Sequence, residues 1–373
     1  MKHKPLVSIC IPTFNRPHYL KKALESCFNQ TYPHFEIIVL DASTDNKTSI
    51  LIKKIKYNRI RYYRHKSKER ALFHILKFVR GEYVKILLDD DLLKPNCLER
   101  MVEAFQKNKN VGIVMAPLEI IDENGERITP RFYYFKKMHF LYKYLGHDSF
   151  VNKKQIMKDF LTKKYPCCVP TGIMYKKECF NAIGGFDLQA DFAGDVEICM
   201  RIATQFDFYY INEALSSWRY NRTSHTVNLQ NKGYNLHAFY YLTKKYCSNK
   251  QVMSMFPKKE VKRIVKDSYL FASKRSLLNV LIGIKTLDIQ IVIKSLKIIL
   301  KNDPYITNIL KLPFISIKEI IDVIGSEIIF NIVTLHTYAR KIFEIATETK
   351  LRQNRTLFKI QQADATDKLR ESG

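Results

Sequence analysis

The sequence predicts an α/β protein built on a doubly wound, mostly parallel sheet. Short apolar runs alternate with helical patterns through the first hundred residues, and polar residues follow three of those runs. The chain is 46% hydrophobic and 26% charged, which is the balance of a globular protein with an ample core. Its 373 residues predict one large domain with a smaller one, or two ordinary domains.

Each element of the alternation has its own local signal. Apolar, β-branched runs predict the strands Leu6–Ile11, Glu36–Leu40, Ile60–Tyr63 and Tyr83–Leu88. Helical patterns fill the intervals, at Pro17–Asn29, Thr44–Lys56 and Glu69–Val79, with a further helix from near Pro95. Because strand and helix alternate strictly, neighbouring strands should run parallel.

Polar residues gather where these strands end. Ligands of doubly wound sheets bind beyond the carboxyl ends of the strands, where Thr13, Asp41 and the run Asp89–Asp91 all fall. Three adjacent carboxylates repel one another, so a bound Mg²⁺ or Mn²⁺ would keep them ionised. The alternative is a solvated turn in which one aspartate caps the next helix. The residues alone leave both interpretations open.

Composition indicates the cellular compartment of the protein and the charge of its partner. Eight cysteines occur without a CxxC pair or a zinc-like Cys/His spacing, which indicates reduced thiols of a cytoplasmic protein. We expect neither a signal peptide nor a transmembrane helix. The formal net charge of +26 predicts a polyanionic partner, whether nucleic acid, anionic lipid or a charged donor.

The pattern loosens after residue 115. Residues 117–166 are rich in aromatics and lysines and predict an insertion or lid, whereas strand order returns at Gly172–Tyr175. An acidic cluster of Asp191, Asp195 and Glu197 then opens a helix, and acids there also suit the helix dipole. From Thr226 to Leu300 there are 14 Lys or Arg against 3 Asp or Glu. A capping-box pattern at residues 316–319 predicts a further helix over residues 320–347.

Four motifs together resemble the family 2 glycosyltransferases over residues 5–225. The motifs are Val7–Arg16, the Gln30–Tyr32 turn with Phe35–Val39, Asp41–Asp45, and Gly81–Tyr83 leading into Asp89–Asp91. The resemblance implies a GT-A fold, with a Rossmann-like nucleotide-sugar half at 1–115 and an acceptor half at 116–225. A basic, mainly α-helical region at 226–348 and a polar tail at 349–373 would follow.

The resemblance also implies roles for residues on the donor side. Asp41 would accept a hydrogen bond from the imide of uracil, which favours a UDP donor, although an Asx-turn is the alternative. Mg²⁺ or Mn²⁺ would be held by Asp90 and Asp91, with His225. The remaining nucleotide-sugar residues would be Pro12, Thr13, Phe14, Asn15, Arg16, Arg70, Asp89 and, shared with the metal, Asp90.

On the acceptor side the resemblance implies a catalytic base. Inverting transfer needs a carboxylate that takes the acceptor hydroxyl's proton, and Asp195 falls at the family's position. The family often has Glu-Asp where this chain has Gly194-Asp195, which leaves Glu197 and Asp191 as lesser candidates. The acceptor would contact Gly172, Trp218 and Glu197.

These expectations describe an inverting, metal-dependent glycosyltransferase. It would move a sugar from a UDP-sugar to a glycan or lipid-linked glycan of a bacterial lipopolysaccharide, O-antigen or capsule. The basic helices would dock on the anionic inner face of the cell membrane, or form a homo-oligomer. The alternatives are a basic nucleic-acid-binding protein and an inactive, glycan-binding family member. Nucleic acid is disfavoured because the aspartates would repel its phosphates.

Overall fold

A computed structural model describes six stretches of the chain, which are residues 4–66, 71–128, 146–162, 169–220, 235–285 and 289–302. The predictions for Arg70, His225, the helix at 320–347 and the tail at 349–373 lie outside the described residues.

Eleven strands are present in the described residues. They are β1 (Val7–Thr13), β2 (Phe35–Asp41), β3 (Ile60–Arg64), β4 (Tyr83–Ile86), β5 (Leu92–Leu93), β6 (Val111–Met115), β7 (Leu118–Ile121), β8 (Ser149–Val151), β9 (Ile173–Lys176), β10 (Asp207–Tyr210) and β11 (Ser216–Arg219). Eight form one sheet in the order β3-β2-β1-β4-β9-β6-β10-β8, and β5-β11-β7 form a second. The neighbours β3, β2, β1 and β4 are parallel, whereas β9 is antiparallel to β4 and β6. The predicted α/β class with a mostly parallel first half is confirmed.

Helices cover both faces of the main sheet. They are α1 (Pro17–Phe28), α2 (Lys47–Lys54), α3 (Ala71–His74), α4 (Cys97–Lys107), α5 (Lys153–Leu161), α6 (Lys177–Ile183), α7 (Gly194–Ile202), α8 (Asn235–Cys247), α9 (Lys250–Ser254), α10 (Lys258–Lys285) and α11 (Ile289–Asn302). Alternation along β1 sends Ile9 and Ile11 into a core with α1 and α4, while Cys10 joins the core on the other face. The sheet is therefore buried on both sides, as parallel sheets usually are.

The amino end of the sheet is fixed by a buried polar network. Ser8 Oγ donates to Glu36 Oε1 over 2.6 Å, Arg61 donates to Glu36 Oε2 over 2.8 Å, and the Gly81 amide donates to Ser8 Oγ over 2.8 Å. A Cβ at position 81 would lie 2.6 Å from the Leu6 carbonyl oxygen. The turn before β4 therefore requires glycine.

Several predicted boundaries shift. Helix α2 begins at Lys47 rather than Thr44, and the Thr44 amide donates to the Asn15 side chain in the turn that precedes the helix. The segment predicted as an insertion or lid contains β7, β8 and α5, and β8 pairs with β10 at the sheet edge. A three-residue strand is too short to show periodicity in a sequence.

Helices α8 to α10 contribute to the same core as the sheet. Leu242 and Tyr246 of α8 and Ile264 of α10 pack in the cluster that contains Ile156 and Phe160 of α5. Among the described residues, no helix combines the length and apolarity that crossing a membrane requires. The domain boundary at residue 225 stays a prediction.

Candidate active site

The candidate site lies where β1, β2 and β4 end. Thr13 and Asp41 are register partners at the ends of β1 and β2, and the Ala42 amide donates to the Thr13 carbonyl over 2.9 Å. Thr13 Oγ1 donates to Asp89 Oδ2 over 2.7 Å, and the Phe14 amide donates to the same oxygen over 3.4 Å. The structure thus brings together residues that are 76 positions apart in sequence.

Asp90 faces a basic partner. Arg16, just before α1, donates to Asp90 Oδ2 over 2.8 Å and lies 3.6 Å from Asp89 Oδ1. One guanidinium therefore offsets part of the charge on two carboxylates. Phe14 next to it is 55% exposed, which is unusual for a phenylalanine and leaves its ring available at the edge of the site.

Asp91 is buried completely and has partners on both oxygens. Thr171 Oγ1 donates to Oδ2 over 2.5 Å, and the Arg219 amide donates to Oδ1 over 2.8 Å. Lys85, itself buried, donates its ammonium to the carbonyls of Thr171 and Ile173. Lys85 thereby fixes the segment that presents Thr171 to Asp91.

Burial makes these carboxylates costly to ionise. Burial, together with the charge of Asp90, raises the pKa of Asp89 to about 7. Burial also raises the pKa of Asp90 against the opposing effect of Arg16. Burial and the charge of Asp90 raise the pKa of Asp91 well above its usual range. A cation beside the triplet would reverse these shifts, because it favours the ionised forms.

The carboxylates retain some capacity for such a cation. A carboxylate oxygen has two acceptor positions, and each oxygen of Asp91 has one recorded donor. Aspartate oxygens are also the ligands that Mg²⁺ and Mn²⁺ prefer. In the described part of the chain, however, no three His, Cys, Asp or Glu side chains are already grouped as a metal site. The donor set fits a hard divalent cation that is completed by other ligands.

Arg219 is a site residue that sequence reasoning missed. Its side chain is buried and donates Nε to the Asp90 carbonyl over 2.7 Å and one terminal nitrogen to the Asp122 and Glu123 carbonyls over 2.7 and 3.0 Å. The guanidinium also lies 5.2 Å from the centroid of the Tyr19 ring. Its position at the end of a short strand beside the sole tryptophan gave only a weak signal. Arg219 joins the aspartate triplet to β11 and to the turn after β7.

Asp41 is fully buried in a hydrogen-bonded cluster beside Thr13. Tyr62 Oη and Arg64 donate to Asp41 Oδ2 over 2.7 and 2.8 Å, and the Ser43 amide donates to Oδ1 over 2.8 Å. The last bond is the predicted Asx-turn. Asn15, at a φ of 53°, receives a hydrogen bond from the Thr44 amide and so closes the turn after β1 onto the turn after β2.

The residues predicted for the acceptor side lie on other elements. Asp195 is half-buried in the first turn of α7, and Trp218 is half-buried in β11. Gly172 is buried directly after Thr171, where a Cβ would lie 3.1 Å from the Ala116 carbonyl. Glu197 is fully buried, and its oxygens accept hydrogen bonds from Lys245, Tyr246 and Arg201. Because both oxygens are occupied inside the protein, the structure does not present Glu197 to an acceptor, contrary to expectation.

The fold and this site define a glycosyltransferase of the GT-A class. Residues 8–184 match the family model described as glycosyl transferase family 2, so this part of the chain carries a domain of that family. The match ends before Asp195 and before the helices α7 to α11.

Two curated relatives agree with this assignment. An uncharacterized glycosyltransferase of Methanocaldococcus jannaschii is 27% identical over 271 residues, which cover 68% of this chain and 86% of the relative. The chondroitin synthase of Escherichia coli is 26% identical over 232 residues, which cover 61% of this chain but 30% of that protein. Other relatives are much longer than this chain. A glycosyltransferase of Rickettsia felis, for example, is matched over only 21% of its own length.

Solved structures share the fold. The 1–349 fragment of S. aureus TarS superposes with a TM-score of 0.55 at 15% identity, covering 80% of this chain and 81% of that one. The same fragment in complex with UDP-GlcNAc gives 0.50 at 14% identity, covering 77% and 89%. The mannosyltransferase PcManGT of Pyrobaculum calidifontis, in complex with GDP-Man and Mn²⁺, gives 0.50 at 16% identity, covering 80% and 88%. The predicted GT-A fold is confirmed.

Proposed function

We propose that this chain is an inverting, metal-dependent glycosyltransferase that uses a UDP-sugar and builds a bacterial surface glycan, with a free or lipid-linked glycan as acceptor. The observation that carries the proposal is the meeting of Thr13 and Arg16 with the buried triplet Asp89–Asp91 at one edge of the sheet. Buried acids beside a basic side chain at that edge suit an anionic ligand bound together with a cation.

The donor site extends from the triplet toward Asp41. The exposed ring of Phe14 offers a stacking surface for a base. Asp41 is fully buried and both its oxygens accept hydrogen bonds, so an imide N–H would bond to it by replacing the donor of Tyr62 or Arg64. The TarS complex with UDP-GlcNAc supports a UDP donor, while the PcManGT complex makes GDP-Man the competitor to test. Arg16 would contact the diphosphate once its guanidinium no longer pairs with Asp90.

The cation would be Mg²⁺ or Mn²⁺, held by Asp90 and Asp91. The Mn²⁺ of PcManGT supports this proposal. When bound, the ion offsets the negative charge that builds on the leaving nucleoside diphosphate. Asp89, which accepts hydrogen bonds from Thr13 and Phe14, orients the strand end and the donor rather than the ion. His225 remains a predicted ligand outside the described residues.

Asp195 would be the catalytic base. It takes the proton of the acceptor hydroxyl while that oxygen bonds to the anomeric carbon and the bond from this carbon to the diphosphate oxygen breaks. Attack from the side opposite the leaving group inverts the configuration. Gly172 and Trp218 would line the acceptor side.

Membrane docking is a further part of this proposal. Ile293, Leu296 and Lys297 of α11 are exposed together, and the region from Thr226 to Leu300 is strongly basic. Such a helix suits the interface of an anionic bilayer, where a lipid-linked acceptor would lie. Sedimentation with liposomes checks it, and binding that is indifferent to anionic lipid and to salt would exclude it.

The central experiment is a nucleotide-sugar panel with and without Mn²⁺. We expect UDP-sugars to raise the melting temperature more with Mn²⁺ than without, and at least one to turn over. In Asp91→Asn, UDP-sugars should raise the melting temperature equally with and without Mn²⁺, each measured against the melting temperature of that variant alone. In Glu25→Gln, whose side chain is 55% exposed on α1, the extra rise with Mn²⁺ should be retained. Asp195→Asn should bind UDP but keep only residual turnover.

Two outcomes would overturn parts of the proposal. A wild-type chain that neither binds nor turns over any nucleotide sugar would refute the enzymatic function. Normal turnover by Asp195→Asn would remove Asp195 as the base while leaving the donor site intact.

A further inference from the structure

A cluster of four charged side chains joins three segments around the helix that carries Asp195. It contains Asp187 from the turn after α6, Glu197 and Arg201 from α7, and Lys245 from α8. Lys245 lies in the basic helical region, beyond the residues that match the family model. None of the roles proposed above uses it.

Helix α8 supplies three donors of this cluster. Lys245 Nζ donates to Asp187 Oδ2 over 2.6 Å and to Glu197 Oε1 over 2.7 Å. Tyr241 Oη donates to Asp187 Oδ2 over 2.5 Å, and Tyr246 Oη donates to Glu197 Oε1 over 2.9 Å. Side chains four residues apart share a helix face, so Tyr241 and Lys245 act on the same carboxylate.

Arg201 completes the cluster from within α7. It donates to Glu197 Oε2 over 2.7 Å and to the Gly185 and Ile183 carbonyls over 2.7 and 2.9 Å. Gly184, at a φ of 81°, makes the turn that these bonds fix. Glu197 is thus tied to α8 through one oxygen and to the turn after α6 through the other.

Because these charges are partly or fully buried, breaking any of the ion pairs in the cluster would be energetically costly. Burial would raise the pKa of Asp187, but hydrogen bonds from Lys245 and Tyr241 lower it below its usual value. Burial would lower the pKa of Lys245, but Asp187 and Glu197 raise it. Glu197 is fully buried, and a buried carboxylate that loses a cationic partner is strongly disfavoured. The surrounding segments are therefore restrained to positions that keep the pairs intact.

The geometry of α7 transmits this restraint to Asp195. Successive residues of an α-helix are rotated by about 100°, so Asp195 and Glu197 are about 200° apart around the axis and face nearly opposite directions. Glu197 is anchored in the interior, whereas Asp195 is half-buried in the first turn. The rotation at which Glu197 is anchored therefore sets the direction of Asp195.

We propose that Lys245 is a positioning residue for Asp195, which acts by pairing with Glu197 and Asp187 so that α8 fixes the rotation of the first turn of α7. The inference rests on the proposed role of Asp195 as the base. It makes α8 part of the catalytic unit, because a helix outside the family match determines the geometry of the base.

The first test is independent of activity. In Lys245→Met, we expect faster amide hydrogen exchange over residues 184–198 and unchanged exchange around Asp89–Asp91. The matched control is Lys244→Met, which changes an exposed neighbour on the same helix turn and should leave both segments unchanged. Unchanged exchange over residues 184–198 in Lys245→Met would overturn the proposal.

The second test uses the nucleotide sugar that gives the fastest turnover in the panel above. We expect Lys245→Met to lower kcat about ten- to a hundredfold with little change in the donor KM, since a misplaced catalytic group costs rate rather than donor binding. Lys245→Arg should recover most of the loss because it keeps the charge. In an Asp195→Asn background, Lys245→Met should cause no further loss.

Distinct results separate the possible failures. A full additional loss in the Asp195→Asn background, or an equal rise in donor KM, would overturn positioning through Asp195. If Lys245→Met does not fold, Tyr246→Phe removes one hydrogen bond to Glu197 and should give the same pattern at smaller size. Absence of wild-type turnover would refute the proposed function, while the exchange measurement would still decide whether Lys245 restrains α7.

Discussion

Replacing Arg219 by methionine should separate the backbone of the aspartate triplet from the elements that support it. Methionine keeps the length and apolar bulk of the side chain but removes every donor. The Asp90 carbonyl would lose the partner that now lies 2.7 Å away, and the Asp122 and Glu123 carbonyls would lose theirs. The aspartate cluster would also lose a nearby positive charge.

The size of the effect follows from which carbonyls water can reach. Asp90 is buried, so its carbonyl is orphaned at a cost of about 1–3 kcal/mol. Asp122 is half-buried and Glu123 is exposed, so water can replace the lost donor at both carbonyls. The loss of each of these two hydrogen bonds therefore costs about 0.5 kcal/mol. Together these predict that Arg219→Met lowers the free energy of unfolding by about 2–4 kcal/mol.

Urea denaturation measures this difference, and thermal shift with UDP and Mn²⁺ measures the functional consequence. We expect the Mn²⁺-dependent shift to be lost along with the stability. Arg127→Met is the matched control, because Arg127 pairs with Glu119 while its side chain stays 63% exposed, and such pairs contribute about 0–1 kcal/mol. Arg219→Lys should fall between the wild type and Arg219→Met. Unfolding of Arg219→Met within about 0.5 kcal/mol of the wild type, with the Mn²⁺-dependent shift retained, would refute this reasoning.

Two further predictions concern the amino end of the sheet. Gly81→Ala places a Cβ 2.6 Å from the Leu6 carbonyl and 2.7 Å from the Ser8 amide, so it should destabilise the fold by about 1–3 kcal/mol in urea denaturation. Gly185→Ala, where a Cβ meets nothing within 4 Å, is the control, and equal effects of the two changes would contradict the steric argument. Burial would raise the pKa of Glu36, but hydrogen bonds from Ser8, Arg61 and the Arg80 amide lower it below its usual value. The ionised carboxylate therefore stabilises the fold above its unfolded pKa of about 4.3. This stabilisation is lost as the pH falls through the lower pKa of the folded state. Glu36→Gln should therefore be destabilised most near pH 7, with a difference from the wild type that shrinks on acidification; a difference independent of pH would show that Glu36 is not charged in the fold.

Part of the geometry of the candidate site could be predicted because it depends on local patterns. The alternation of strands and helices predicts a sheet whose carboxyl ends share one edge, and Thr13 and Asp89 do meet there. The position of Glu197 could not be predicted in the same way. An acid in the first turn of a helix suits the dipole equally well whether it faces solvent or a buried lysine, and only the packing of α8 distinguishes the two.

The sequence by itself determined the α/β class, the edge at which the acids gather and the family that its first half resembles, because periodicity and turn chemistry are properties of neighbouring residues. Tertiary structure decided the partners of those acids. Asp91 meets the Arg219 amide across 128 positions, and Glu197 meets Lys245 across 48. Such pairs depend on how separate elements pack, and packing depends on the shape and burial of many side chains at once. The fold thereby supplies the groups that orient the acids, and α8 supplies the restraint on Asp195.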